Sequence, residues 1–584
     1  MIHKYLKELM NVLPRLRQDF VGQAGSRLGG RDDGTTPTLH LYLSLILFLM
    51  IFVILGLPHT NWGFKTDDFS NILHSNITSW SQFFRLFYEG NIEAFYVPSN
   101  QTPGQSAFFA GLFRPLSFVY YLPQFYFFHT WAYGYYLVTI AFHALAAVLL
   151  FNFLLLITDY WLAFMLALFF GFHPSLYNWL GWTSAQTYFI ELVIILTIIS
   201  LLIKYLKTEN TWLYYAAVGL YPCTIFLKEA SIVLPFWVLI GVYLSTRKWS
   251  RALKISSGFW LVAFGYLIAR AAIFPLTSNT STLTFKPTWE SFSQRMSSRL
   301  FDFVTYGVDM LGLSWLPNST YLPTYSIVLK SMCIMFILIC LFWCFIKSTQ
   351  KTLILFLIFS MLLFTWPAIL MHYQPRYIYL GLPFFILSLG GLLKYAPKVS
   401  TFVLALILPI TIIFLHTKLT TREKTLHYIS SSFQELVRNP SIHNRSICFL
   451  ALPGQWFHEG SAQAIWLYRN DATYPVFQID LDIAISDVIP GLTGDPACPS
   501  KPSRSRGNTN VLNPRKNFLN KNYMQVTQES NACIFTSTNP EKLWFITPEN
   551  THSSTATLVI DQTIVQYNPV YITWDYYEKK FIIL

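Results

Sequence analysis

The run "LYLSLILFLMIFVILGL" at residues 41–57, followed by "NWGFKTDDFSNILHSN" at 61–76, decides how the rest of the chain is read. The first stretch is apolar for long enough to enter the hydrocarbon core of a bilayer. The second places two adjacent carboxylates, Asp67 and Asp68, where the membrane would end. A carboxylate at that depth is costly unless it is solvated, paired or used.

Composition extends the membrane reading to the whole chain. Of 584 residues, 53% are hydrophobic and 12% charged, with a mean hydropathy of +0.41. A soluble globular protein carries about 25% charged residues, so this balance points to a polytopic α-helical membrane protein. Aromatic residues make up 18%, a class that favours the membrane–water interface and also lines sugar sites. The net charge of +12 has no long basic run behind it. It is spread through loops between apolar segments, which argues for cytoplasmic loops and against a nucleic-acid partner. Cys223, Cys333, Cys340 and Cys344 lie in apolar runs and read as small buried hydrophobes. Cys448, Cys498 and Cys533 lie in the polar C-terminal part; one disulfide among them is open in an oxidising compartment, but three thiols do not fix a pairing.

The first apolar run begins only near residue 41, so residues 1–40 do not read as a signal peptide. "IHKYLKELMNVLPRLRQDF" places Ile2, Leu6, Leu9, Leu13 and Leu16 at helical spacing between basic residues, which predicts a cytoplasmic amphipathic helix. Segments of roughly 17–25 apolar residues predict about eleven spans. They fall near 41–57, 132–156, 160–177, 186–203, 211–227, 230–246, 257–274, 325–346, 352–371, 377–393 and 399–416. Lys204 and Lys207, Arg247 through Lys254, Lys347 and Lys351, and Lys394 and Lys398 fall in alternate short loops with the basic N-terminus. By the positive-inside rule the N-terminus is then cytoplasmic and the C-terminus outside. The transmembrane module occupies 41–416, with external loops at 58–131 and 275–324 and an external region at 417–584. In the first loop, "SWSQFFRLF" carries a capping box, Ser79 with Gln82, before an aromatic face, and "PLSFVYYLPQFYFF" reads as a second interfacial helix. "SICFLALPG", "YPVFQID", "ACIFTST", "KLWFIT", "TLVIDQTIVQY" and "VYITWDYYEKKFIIL" read as strands, and "GSAQAIWLYRN" as a helix, which predicts a small extracytoplasmic α/β domain.

The residues able to do chemistry gather on the external side, whose short loops hold almost no basic residues apart from Lys228 and Arg376. Asp67 and Asp68 follow the first span, and Arg114 closes the first loop in "FRPLS". His173 follows the third span in "FGFHPSLYNW", and Lys228 and Glu229 sit between the fifth and sixth in "FLKEASIVLP". His372, Arg376 and Tyr377 lie between the ninth and tenth in "MHYQPRYIY". Each has a plain explanation as a solvated, capping or snorkelling residue. Together, carboxylates and a set of cations suit group transfer from a phosphate-linked donor. Arg and Lys hold the phosphate and its developing charge, and a carboxylate takes the acceptor proton.

The order "TDDFSNILHSN…SWSQFFRLF…FRPLSFVYY", "FHPSLYNW", "FLKEASIVLP" resembles the GT-C glycosyltransferases over roughly residues 41–270. It is most like the group of protein O-mannosyltransferases and the transmembrane tetratricopeptide mannosyltransferases, and "QPRYIYLGLP" resembles their late Arg-Tyr segment. The resemblance implies a GT-C module that takes a sugar, a hexose such as mannose, from a polyprenyl-phosphate carrier to an extracytoplasmic protein, lipid or glycan. It implies Asp67 as base and Asp68 as its orienting neighbour, the reverse assignment being open. Arg114, Lys228 and Arg376 would hold the carrier phosphate, supported by His173, Glu229, His372 and Tyr377. No metal or other cofactor is expected; a divalent metal is the alternative, since some acidic pairs of this kind hold one. The chain departs from the pattern in having Asn178 where Glu tends to follow His-Pro, and in lacking the repeats. A bacterial plasma membrane is the expected location, with the endoplasmic reticulum as alternative. A polymerase or ligase of lipid-linked glycans, and a transporter or flippase, are the competing readings. A transporter would carry its polar groups in paired, broken mid-membrane helices.

Overall fold

The computed structural model describes residues 36–64, 66–87, 113–273, 309–312, 335, 339, 342–365, 378–443, 445, 447–449, 461–469, 476–478, 524–529, 532–537, 556–561, 570–575 and 580–583. The expected N-terminal amphipathic helix, most of the second external loop, most of the span at 325–346 and the strand "KLWFIT" lie outside them.

The helices are α1 Thr36–Gly56, α2 Thr66–His74, α3 Trp80–Arg85, α4 Pro115–Phe128, α5 Ala132–Leu154, α6 Tyr160–Gly171 and α7 Gln186–Thr208. They continue with α8 Thr211–Ile225, α9 Leu234–Thr246, α10 Trp249–Ile273, α11 Lys351–Phe364, α12 Leu382–Leu393, α13 Pro397–Arg438 and α14 Ser461–Arg469. Among the described residues, seven helical stretches are long and apolar enough to cross a membrane. The chain is a polytopic helical membrane protein. The helices α11 and α12 are also apolar but shorter. The 12 residues of α12 rise about 18 Å, against a hydrocarbon core of about 30 Å.

The chain divides into two compact units. The first takes residues 1–60, 136–180 and 185–419. Its hairpins turn tightly: Glu209 ends α7 with φ 57° and Asn210 caps α8 by accepting the Trp212 N–H at 3.1 Å. Arg247 ends α9 with φ 58° just before α10. Such short connections leave no room for a crossover, so α7 runs antiparallel to α8, and α9 to α10. The start of α7 and the end of α8 therefore share one end of the bundle, as the contact of Tyr188 with Lys228 at 3.3 Å requires. Asp159 caps α6 by accepting the Trp161 and Leu162 N–H groups, both at 3.1 Å.

The second unit takes residues 61–135, 181–184 and 420–584. It holds a sheet in the order β2-β1-β6-β7 and a separate one in the order β3-β4-β5. The first is built from β1 Ile447–Phe449, β2 Val476–Gln478, β6 Val570–Asp575 and β7 Lys580–Ile583. In it β1 is parallel to β2 and to β6, and β6 and β7 pair antiparallel. The helix α14 lies between β1 and β2 in sequence, as a parallel pair requires. The second sheet is an antiparallel meander of β3 Met524–Glu529, β4 Ala532–Ser537 and β5 Ala556–Asp561.

Two differences from the sequence reading matter. The last long helix does not stop at 416 but runs to Arg438. Its charged half keeps Leu419, Leu426, Ile429, Phe433 and Leu436 buried at helical spacing, so amphipathic periodicity carries it on where hydropathy ends. The acidic pair, read as loop, lies inside α2.

Candidate functional site

The helix α2 is short and held from several sides within its own unit. Phe69 and Ile72 are buried, and the Phe69 ring meets Phe433 at 5.9 Å and Tyr468 at 5.8 Å, edge to face in both cases. That packing turns one face of the helix inward, and Asp68 goes with it. Asp68 has no exposed surface, and its Oδ1 accepts the Ser184 N–H at 2.7 Å and the Ser184 hydroxyl at 2.9 Å. One turn on, Asn71 donates its Nδ2 to Ser184 Oγ at 2.8 Å, and the Asn71 carbonyl accepts from Ser75 Oγ at 2.6 Å. The 181–184 turn is further pinned by Tyr121, whose hydroxyl donates to the Thr183 carbonyl at 2.6 Å. Burial, with smaller additions from Tyr120, Asp68 and Tyr135, holds the Tyr121 phenol well above its ordinary range, so it stays a neutral donor. A buried carboxylate taking two donors is a fixed acceptor. Asp67 precedes it, about 100° round the helix axis.

Arg114 is half-buried and stands at the N-cap of α4 with Pro115 at the first helical position. The helix it opens packs against α2. The acidic pair and Arg114 are thus carried by two neighbouring helices. The aromatic helix α3 follows α2, capped as its sequence predicts. Ser79 Oγ accepts the Gln82 N–H at 3.2 Å, and Gln82 Oε1 accepts the Thr78 N–H at 2.8 Å. The second arm of the box thus closes one residue earlier than the standard pattern. Trp80 and Phe84 are left exposed.

In the first unit, Lys228 follows the last turn of α8 and precedes the 3₁₀ turn Glu229–Val233. It is 8% exposed, with its Nζ over the Tyr188 ring of α7 at 3.3 Å from the centroid. Burying an ammonium costs several kcal/mol, and a desolvated cation–π contact returns about 2 kcal/mol. The ring alone does not offset the burial, so other polar groups must contribute. Glu191, fully buried one turn further along α7, is placed within electrostatic reach of the Tyr221 hydroxyl. Tyr221 donates to the Ser231 carbonyl at 3.3 Å, and Ser231 Oγ to the Lys228 carbonyl at 3.2 Å.

His173 caps the turn Pro174–Asn178 and is fully buried. Its Nε2 meets the Met310 carbonyl at 3.3 Å; a carbonyl only accepts, so Nε2 carries the proton. Nδ1 is then an acceptor, with no hydrogen-bond partner among the described residues. Ser175 Oγ donates to the Asp309 carbonyl at 2.9 Å, so the 309–312 segment docks on the His-Pro turn. Gly312, at φ 69°, lets it lie close: a Cβ there would come within 3.0 Å of Phe169 and 3.3 Å of His173 Nε2. A neutral imidazole of this tautomer suits a hydroxyl donor better than an ionised phosphate. His143 of α5 is held in the same way, its Nε2 donating to the Gly171 carbonyl at 3.1 Å. Its Nδ1 therefore accepts from the Tyr379 hydroxyl at 2.8 Å.

His372, Arg376 and Tyr377 lie outside the described residues. The described continuation of that segment, Tyr379, is the residue anchored by His143. Sequence reasoning passed over Ser184, Asn71 and Tyr121, which carry no charge. It also passed over Tyr188 and His143, whose signal was present: a polar or aromatic residue in an apolar span, one turn from a buried charge or within a helix core. Glu191 is a charged residue within an apolar span. Among the described residues, no group of three or more His, Cys, Asp or Glu side chains gathers for a metal ion. No protein-family model matches the chain, and no curated protein matches it significantly.

Proposed function

We propose that the chain is a GT-C-type glycosyltransferase that moves a sugar, a hexose such as mannose, from a polyprenyl-phosphate carrier to an extracytoplasmic acceptor. The observation that carries this reading is the seating of Asp68. Asp68 is buried and held through Ser184, and the helix bearing it packs against the helix opened by Arg114. A solvated loop carboxylate needs no such support.

In this reaction the acceptor hydroxyl oxygen bonds to the anomeric carbon as the bond from that carbon to the phosphate oxygen breaks. The bond pair leaves with the polyprenyl phosphate, and the hydroxyl proton passes to the Asp67 carboxylate. Asp68 orients the helix that presents Asp67. Arg114, Lys228 and Arg376 neutralise the leaving phosphate, with Glu229, His372 and Tyr377 as further polar contacts. His173, as an acceptor at Nδ1, takes a hydroxyl. The same reading puts the N-terminus in the cytoplasm and the α/β region outside, in a bacterial plasma membrane, with the endoplasmic reticulum as the alternative.

The test is transfer from a polyprenyl-phosphate sugar by the protein in proteoliposomes. Asp67→Asn should lower the rate by roughly 100-fold or more. Wild-type rates from both Asp67→Asn and Asp68→Asn would remove the base from this site. Solute uptake without sugar transfer would replace the enzyme by a transporter.

A further inference from the structure

Lys228 is held both at its backbone and at its ammonium. Its backbone N–H donates to the Thr224 carbonyl at 2.9 Å, and its carbonyl accepts from Ser231 Oγ at 3.2 Å. Its ammonium lies 3.3 Å from the centroid of Tyr188, a residue only 3% exposed. A lysine is a flexible point charge on a four-carbon stem, and ordering it is a cost that binding normally bears. Here the fold has already borne it.

We propose that Tyr188 is a positioning residue: its ring face preorganises Lys228 as the cation for a phosphate group borne on a lipid carrier. This rests on the reaction assigned above. The electrons of the ring hold the ammonium, so the phenol hydroxyl is dispensable and the ring is not. A merely structural role would depend on ring size and shape; a positioning role depends on ring electrons as well.

The experiment uses the full chain in nanodiscs, with equilibrium binding of a long-chain polyprenyl monophosphate and, separately, of inorganic phosphate. Tyr188→Phe should bind the lipid phosphate within about twofold of wild type, since the cation–π contact survives. Tyr188→Leu should weaken it roughly 10- to 30-fold. Because the leucine variant can fail to fold, the deciding set is phenylalanine with one, two and three ring fluorines at position 188. These keep the shape while draining the π face, and affinity should fall stepwise with each fluorine. Lipid-phosphate binding by wild type with a flat fluorine series would overturn the role of Tyr188 and leave the proposed reaction standing. A wild-type protein that binds no lipid phosphate would overturn the reaction and this inference together. An equal series with inorganic phosphate alone would make the ligand a free anion and overturn the lipid carrier.

Discussion

Asp68 takes two hydrogen bonds from a single residue: the Ser184 N–H at 2.7 Å and the Ser184 hydroxyl at 2.9 Å reach the same carboxylate oxygen. The two donors differ in what mutation can remove. Ser184→Ala deletes the hydroxyl, which also accepts from Asn71, but leaves the backbone donor. A hydrogen bond to a charged group contributes about 1.5–3 kcal/mol, so Ser184→Ala should lower stability by about that much. Asp68→Asn keeps an oxygen acceptor but replaces the charge, and its cost should fall in the same range. Thermal unfolding in detergent reads both. Asp67→Asn should leave the melting temperature near wild type while abolishing transfer. A loss of stability in Asp67→Asn equal to that in Asp68→Asn would end the division of roles.

The membrane topology makes an independent prediction. Thr60 is exposed just after α1, and Lys207 is exposed near the end of α7. In a background stripped of native cysteines, Thr60→Cys should react from outside intact cells with a membrane-impermeant maleimide. Lys207→Cys should react only after permeabilisation. The reverse pattern would place the acidic helix in the cytoplasm and remove the proposed site with it.

Much of this was legible because bilayer physics writes long, strong signals. The runs that became α1, α5, α7 and α10 were found from apolar length alone. Ser79 with Gln82 marked the start of α3 from local capping chemistry. What failed to register were features that depend on tertiary partners. Hydropathy ended the last span at 416, yet burial of Leu426, Ile429 and Phe433 carries the helix to Arg438. Ser184 looked like one hydroxyl among many, because its importance lies in a carboxylate 116 positions earlier in the chain. The tautomer of His173 likewise depends on a carbonyl from a distant segment.

Glycines separate close approach from free space. A Cβ on Gly63 would come within 2.0 Å of the Leu426 carbonyl oxygen and 2.3 Å of its carbon, both backbone atoms that cannot swing aside. Gly219 of α8 has nothing within 4 Å of that position. Gly63→Ala should therefore abolish accumulation of folded protein or lower its melting temperature sharply, because the backbones must part. Gly219→Ala should be neutral or stabilising by up to about 1 kcal/mol, the helical advantage of alanine over glycine. Equal behaviour of the two variants on size exclusion and thermal melting would contradict the packing of Gly63 on Leu426.

Alkaline pH should loosen the anchor of the acidic helix through Tyr468. Burial pushes this phenol up to about 12, against a smaller opposing contribution from Ser430 and Gln434. A raised tyrosine pKa means the folded state holds its proton more tightly than the unfolded chain. The stability it contributes is fully present below the unfolded value of about 10 and is lost as pH rises from there through about 12. Other phenols and lysines titrate over the same interval, so the comparison is with Tyr468→Phe, which keeps the ring facing Phe69 but cannot ionise. The wild-type melting temperature should fall more steeply than that of Tyr468→Phe across this window, and the two should run parallel below it. Parallel curves throughout would mean that Tyr468 ionises as freely in the folded protein as in water, and that its burial against α2 is not maintained in solution.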